Sequence, residues 1–211
     1  MKLSELQERI FTTLGDPDGT LYGVDSMLMQ MAIETAHEAV LPRYAKPAIY
    51  EVTGDGSTTE IALPTDVYEV WAVYDTDDGI FLPKAALTPG VSWGADFLSG
   101  NAWIAYPYGS ITLSDAPGED LVIHYGAYWT VPSAADDDLE IPQSLIIPVI
   151  FYAASMCMNP EMTKAASENT HLLRTDSGNP IQNPFQETSR YFYKLFAQAL
   201  ARVPSNEAIY K

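Results

Sequence analysis

Three histidines, one cysteine and two runs of aspartate are the side chains in this sequence that could carry chemistry. His37, His124 and His171 fall on separate segments, and none has a second histidine at the spacing that lets two imidazoles share a metal ion. Each reads as a packing or surface histidine. Cys157 is the single cysteine, so neither an intrachain disulfide nor a cysteine-based zinc site can be assembled. Its neighbours Ser155, Met156 and Met158 point to a buried, inert thiol, because reactive cysteines sit in electropositive, partly exposed surroundings.

The oxygen-rich runs are Asp75-Thr76-Asp77-Asp78-Gly79 and Asp136-Asp137-Asp138 with Glu140. Neither has the alternating ligands, central glycine and closing glutamate of a calcium loop in their required order. The first separates two strand-like runs, where Asp-Gly is hairpin chemistry. The second precedes a helical pattern, whose N-terminal dipole favours acids. The sequence contains no P-loop, no G-x-G-x-x-G and no G-x-S-x-G. The expectation is a protein without catalytic residues, cofactor or metal.

The elements that would position these residues divide into helical and β patterns. Leu3, Leu6, Ile10 and Leu14 recur at helical steps and stop before the turn signal Gly15-Asp16-Pro17-Asp18-Gly19. A second helix starts at Asp25 or Ser26 and ends or kinks at Pro42, with Leu28, Met31, Ala32, Thr35, Ala36, Ala39 and Val40 on one face. Met27, Met29 and Met31 crowd it and read mainly as core. Short runs rich in Val, Ile, Tyr, Trp and Thr then predict strands at 49–53, 60–63, 68–74, 80–83, 103–106, 110–113 and 121–131. Three helices follow: from Pro142 or Ser144 to Met158, from Asn159-Pro160 to Arg174, and from Asn183-Pro184 to Pro204, with a loop between Thr175 and Asn183. The last carries a stripe of Phe185, Phe192, Leu195, Phe196, Ala199, Leu200 and Val203. Pro148 removes one backbone bond from the first of the three.

The expected fold class is α+β: a helical bundle made by the N- and C-terminal segments, with an inserted antiparallel β-sandwich or small barrel. The corresponding organisation is 1–47 and 142–203 as the helical domain, 48–131 as the β domain, 132–141 as an acidic linker and 204–211 as a C-terminal tail. The segment from Leu145 is apolar on nearly every face and too short to span a bilayer, so it must be buried among helices or between subunits. Ile146, Ile150, Phe151 and Met156 are its candidate core or subunit-interface residues. No apolar run is long enough for a membrane span, and charges interrupt the first residues, so a soluble, cytoplasmically made protein is expected.

The formal net charge of −17 over 211 residues is unevenly spread. Residues 48–147 hold sixteen carboxylates and one base, Lys84, whereas 148–211 hold five acids and six bases. Such a middle block cannot clamp phosphates or anionic lipids. It serves as a solubility device, lets nucleic acid pass without sticking, or meets a basic partner. The same block concentrates Trp71, Trp93, Trp103 and Trp129 with Tyr68, Tyr74, Tyr106, Tyr108, Tyr125 and Tyr128. Mid-strand placement favours packing for them, but an exposed row could stack on sugars, which leaves a carbohydrate-binding or other non-catalytic β module as the alternative.

Leu63-Pro64-Thr65-Asp66-Val67-Tyr68-Glu69-Val70, the strand His124-Tyr125-Gly126-Ala127-Tyr128-Trp129, and the acidic stretch leading to Ile141-Pro142 and 146–154 resemble the head–tail connector (adaptor) proteins of tailed bacteriophages. The layout is similar over about 1–203, and the detail over 122–154. The resemblance implies a ring, twelve copies in most relatives, in the virion at the head–tail interface. Such a ring docks on the portal protein, extends the DNA channel without binding DNA tightly, helps retain packaged DNA and meets a tail protein or nozzle. It also implies portal docking through the C-terminal segment, here Asn206, Ile209, Tyr210 and Lys211.

Overall fold

The computed structural model describes residues 1–18, 24–85, 102–106, 109–118, 120–158 and 184–205. In chain order these form α1 (Leu3–Leu14), α2 (Ser26–Val40), β1 (Lys46–Val52), β2 (Glu60–Ala62), β3 (Val67–Asp75), β4 (Ile80–Leu82), β5 (Trp103–Tyr106), β6 (Ser110–Leu113), β7 (Leu121–Ala127), α3 (Gln143–Cys157) and α4 (Pro184–Leu200). Helices together with antiparallel sheets make this an α+β protein, as the sequence patterns indicate. The helix expected from Asn159 to Arg174 and the loop after it lie outside the described residues.

One compact unit comprises Met1–Tyr44 and Trp129–Pro204. Its centre is α3, which buries Leu145, Ile146, Val149, Ile150, Ala153, Ala154 and Cys157. These side chains share a core with Leu3, Leu6, Ile10 and Leu14 of α1, Met29, Ala32, Ile33, Ala36 and Val40 of α2, and Phe192 and Phe196 of α4. Fully burying one such aliphatic chain contributes about 1.5–3 kcal/mol, so an all-apolar helix is stable only inside such a ring of neighbours. Pro148 sits within α3 and removes the amide that the Ser144 carbonyl would otherwise accept from.

Helix ends follow local chemistry. The Asp25 carboxylate accepts from the Leu28 amide at 2.7 Å and starts α2. At the end of α1 the Gly15 and Asp16 amides return to the Thr12 and Phe11 carbonyls. The start of α1 is closed from a distance instead: the Leu3 and Ser4 amides donate to the carbonyls of Asp137 and Ala135, each at 3.0 Å, and Leu139 donates back to Met1 at 2.9 Å. Lys2 Nζ lies 3.1 Å from an Asp136 carboxylate oxygen. The acids expected to favour the helix after Pro142 thus lie at the N-terminus of α1.

The inward face of α2 differs from the sequence expectation. Met31 is 52% exposed, whereas Met29, Ile33 and His37 are buried. Alanines occupy both candidate faces, so periodicity alone leaves the rotation open, and packing against α3 settles it with Met29 and Ile33 inward.

The other unit is built on Ala45–Tyr128. Two sheets, ordered β1-β7-β3-β4 and β2-β6-β5, are antiparallel throughout. Val70, Val73, Leu82, Leu121, Ile123 and Tyr125 of the first share a core with Ile61, Trp103, Ile111 and Leu113 of the second. Trp103 is 1% exposed and donates its indole N–H to the Leu82 carbonyl at 3.0 Å.

The last strand stops at Ala127, four residues before the expected end. Trp129 belongs to the helical core: it donates Nε1–H to the Tyr44 carbonyl at 3.1 Å and stacks on the Tyr44 ring at 6.4 Å. The Tyr128 amide meanwhile donates to Asp66 at 2.8 Å. Side-chain burial and these partners replace the sheet ladder that 128–131 would have required.

Gly126 faces Trp71, and a Cβ there would lie 2.6 Å from Trp71 Cζ2 and 2.7 Å from Ala45 Cβ. The strand admits no side chain at this point without moving an indole or backbone. Gly126→Ala is expected to cost about 1–3 kcal/mol in chemical denaturation. Gly118→Ala, where a Cβ meets nothing within 4 Å, is expected to stay within about 0.5 kcal/mol of wild type.

Candidate assembly surfaces

The four residues singled out on α3 separate into two pairs. Ile146 and Ile150 are 2% and 7% exposed and pack within the core of the chain itself. Phe151 and Met156 are only partly covered. Beside Met156 an open groove of about 300 Å³ lies between α3 and α4, lined by Tyr152, Ser155, Met156, Ser189, Arg190 and Tyr193.

Local bonding holds that groove in shape. Ser189 Oγ donates to the Ser155 carbonyl at 3.0 Å, and Ser155 Oγ donates to the Tyr152 carbonyl at 2.7 Å. The Tyr152 ring meets Phe196 edge-on at 4.9 Å and Tyr193 at 6.2 Å. Burial, aided by Tyr193 and Glu38, raises the Tyr152 pKa above its ordinary value, so its hydroxyl remains neutral. Ile147, Tyr191 and Tyr193 expose more than half of their surfaces. Sequence reasoning missed these three. The signal for Ile147 is the absence of any polar face on α3, and for the tyrosines their position off the Phe192/Phe196 stripe.

The acidic runs are used locally. The Asp75 carboxylate accepts from the amides of Asp77 and Asp78 at 3.1 and 3.3 Å, and the Gly79 amide closes on the Asp75 carbonyl at 3.1 Å. This is the expected hairpin turn. Asp55 likewise accepts from Thr58 Oγ1 and from the Thr58 and Ser57 amides, which hold its carboxyl well below the usual range. Among the described residues no group of three or more His, Cys, Asp or Glu side chains could hold a metal ion.

Burial pushes the Cys157 thiol up to about 12, consistent with an inert packing role. His37 is 2% exposed, donates Nδ1–H to the Ile33 carbonyl at 2.8 Å and has no partner at Nε2 among the described residues. His124 lies on β7. His171, Trp93 and the proposed docking residues Asn206, Ile209, Tyr210 and Lys211 are outside the described residues. Of the remaining tryptophans, Trp103 is enclosed in the β core, Trp129 packs with the helices, and Trp71 covers Gly126. Among the described residues no helix is long and apolar enough to cross a membrane.

The described residues thus form an α+β chain with exposed aromatic and aliphatic side chains on its helices and strands. The chain belongs to the family described as SU10 adaptor protein, whose model matches residues 1–209. Membership makes it a component of a bacteriophage particle that interacts with other head or tail proteins. No curated protein matches the sequence.

The imidazole of His37 supplies a test of the helical core. Burial, the larger influence, lowers its pKa from 6.5, and the Ile33 bond only partly opposes this. The unfolded chain therefore binds the extra proton first, so this contribution to stability is complete above about pH 6.5 and declines as pH falls below it. Unfolding free energy measured against pH is expected to show that decline, and His37→Leu is expected to flatten it.

Proposed function

We propose that copies of this chain assemble into a ring at the head–tail interface, dock on the portal protein and extend the channel through which DNA passes to a tail protein or nozzle. The observation that carries the reading is the adaptor-family match across 1–209. Twelve copies follow from the family resemblance. The side chains that support subunit contact are Phe151 and Met156, joined by the exposed Ile147 and Tyr193. Ile146 and Ile150 are assigned to the core that shapes this surface. The segment 204–211 is the proposed portal anchor, through Asn206, Ile209, Tyr210 and Lys211.

The charge distribution supports a conduit. Sixteen carboxylates against one lysine over 48–147 repel a DNA backbone, so nucleic acid slides past without a strong hold. The chain is then a structural protein with no cofactor, made in the host cytoplasm before it joins the particle.

Electron microscopy of concentrated protein, alone and mixed with its cognate portal, tests the reading. A rotationally symmetric ring with an axial hole is expected in at least one sample. Deleting 205–211 is expected to abolish portal docking while leaving the circular dichroism spectrum intact. Met156→Asp with Tyr193→Asp is expected to weaken subunit association about tenfold or more. Unassembled protein in both samples would sink the proposal.

A further inference from the structure

The outward face of the four-stranded sheet carries an apolar row where a solvent-facing antiparallel sheet ordinarily turns polar side chains outward. Strand alternation places Leu121, Ile123 and Tyr125 in the β core and turns Val122 and His124 to the opposite side. Ile49 of β1 pairs with His124, and Tyr74 of β3 pairs with Val122. Phe81 of β4 pairs with Tyr74 and extends the row. The Phe81 ring lies 5.1 Å from Tyr74 and 6.1 Å from His124. Ile49 is 60% exposed and Phe81 59%.

Carboxylates border one end of this row. Glu51 pairs with Val122 on β1, and Asp77 and Asp78 occupy the turn that leads into β4. Asp120 adjoins that turn, because its carbonyl accepts from the Thr76 hydroxyl at 2.6 Å and from the Thr76 amide at 3.2 Å. An apolar face with an anionic border selects a ligand that combines an apolar body with cations. A second copy of the same face fails that requirement: 45–128 carry twelve carboxylates and two lysines, so face-to-face pairing would oppose like charges. Nucleic acid and anionic lipid are repelled for the same reason.

We infer that this face, centred on Ile49, Tyr74, Phe81, Val122 and His124, docks a segment of a different virion protein in which lysine or arginine residues flank apolar side chains. The inference rests on the adaptor reading for the source of its partner and adds a surface that neither subunit association nor the C-terminal anchor uses. Glu51, Asp77 and Asp78 orient the segment, and the Ile49 to Phe81 row supplies its contact area.

The test places the photo-reactive analogue benzoylphenylalanine at Phe81, and in a second chain at Ile49, in phage particles that are irradiated and analysed by mass spectrometry. The expected result is an adduct with another virion polypeptide at a segment containing Lys or Arg beside apolar residues. Glu51→Lys with Asp77→Lys is expected to reduce that adduct about tenfold or more while the chain still enters particles. An adduct with a second copy of this chain, or none in particles that contain it, overturns the inference. Particles that assemble without the chain overturn the adaptor reading instead, and the abundance of the chain in the same sample distinguishes the two failures.

Discussion

A helix with no polar face cannot stand in water, and α3 is such a helix. Its buried residues cover most of its circumference, from Leu145 and Ile146 round to Ala153, Ala154 and Cys157. No single neighbour can cover them all, so α1, α2 and α4 must converge on it. Two of those helices precede β1 in the chain and the other follows β7. The need to bury α3 therefore forces the polypeptide to come back to the helices after building two sheets.

The return path is narrow. Lys46 at the start of β1 pairs with Ala127 at the end of β7, so the strands that begin and end this excursion lie side by side. Two residues beyond each, within the other unit, Tyr44 and Trp129 stack. Gly126 allows Trp71 to lie against the strand just before that point. Beyond Trp129 the chain gives its carbonyls at Ala135 and Asp137 to the first turn of α1, which satisfies amides that a helix start cannot satisfy by itself. A stretch that reads as a solvated linker is in this way part of the helical framework.

Local chemistry was legible in the sequence and long-range choice was not. Gly15, Asp25 and the Asp75 to Gly79 turn are set by bonds to residues within five positions, and the corresponding helix ends and hairpin fall where composition put them. Short runs rich in β-forming residues also carried far enough to locate all seven described strands. The rotation of α2 failed because it depends on packing against α3, which no window of α2 encodes. Trp129 looked like one more strand aromatic for the same reason: its partner is Tyr44, 85 positions away. The three aspartates were assigned to the nearer helix because sequence distance is a poor guide to which N-terminus an acid meets. As for the candidate surfaces, α3 was visible as an element in excess of apolar area, but which of its residues face outward could be decided only by the helices around it.

Charge decides how such surfaces can be used. At a net −17 these chains repel one another, and in 45–128 the repulsion is strongest. Association of identical copies is least opposed where the local balance is close to neutral, as it is over 148–211 with five acids and six bases. Phe151, Met156 and Tyr193 belong to that region, whereas Ile49, Tyr74 and Phe81 belong to the acidic one. The same physics would favour the α3 and α4 surface in the proposed self-association and the sheet face for the proposed cationic partner. Under these two proposals the surfaces would not compete, because an apolar contact gains only what remains after its bordering charges have been brought together.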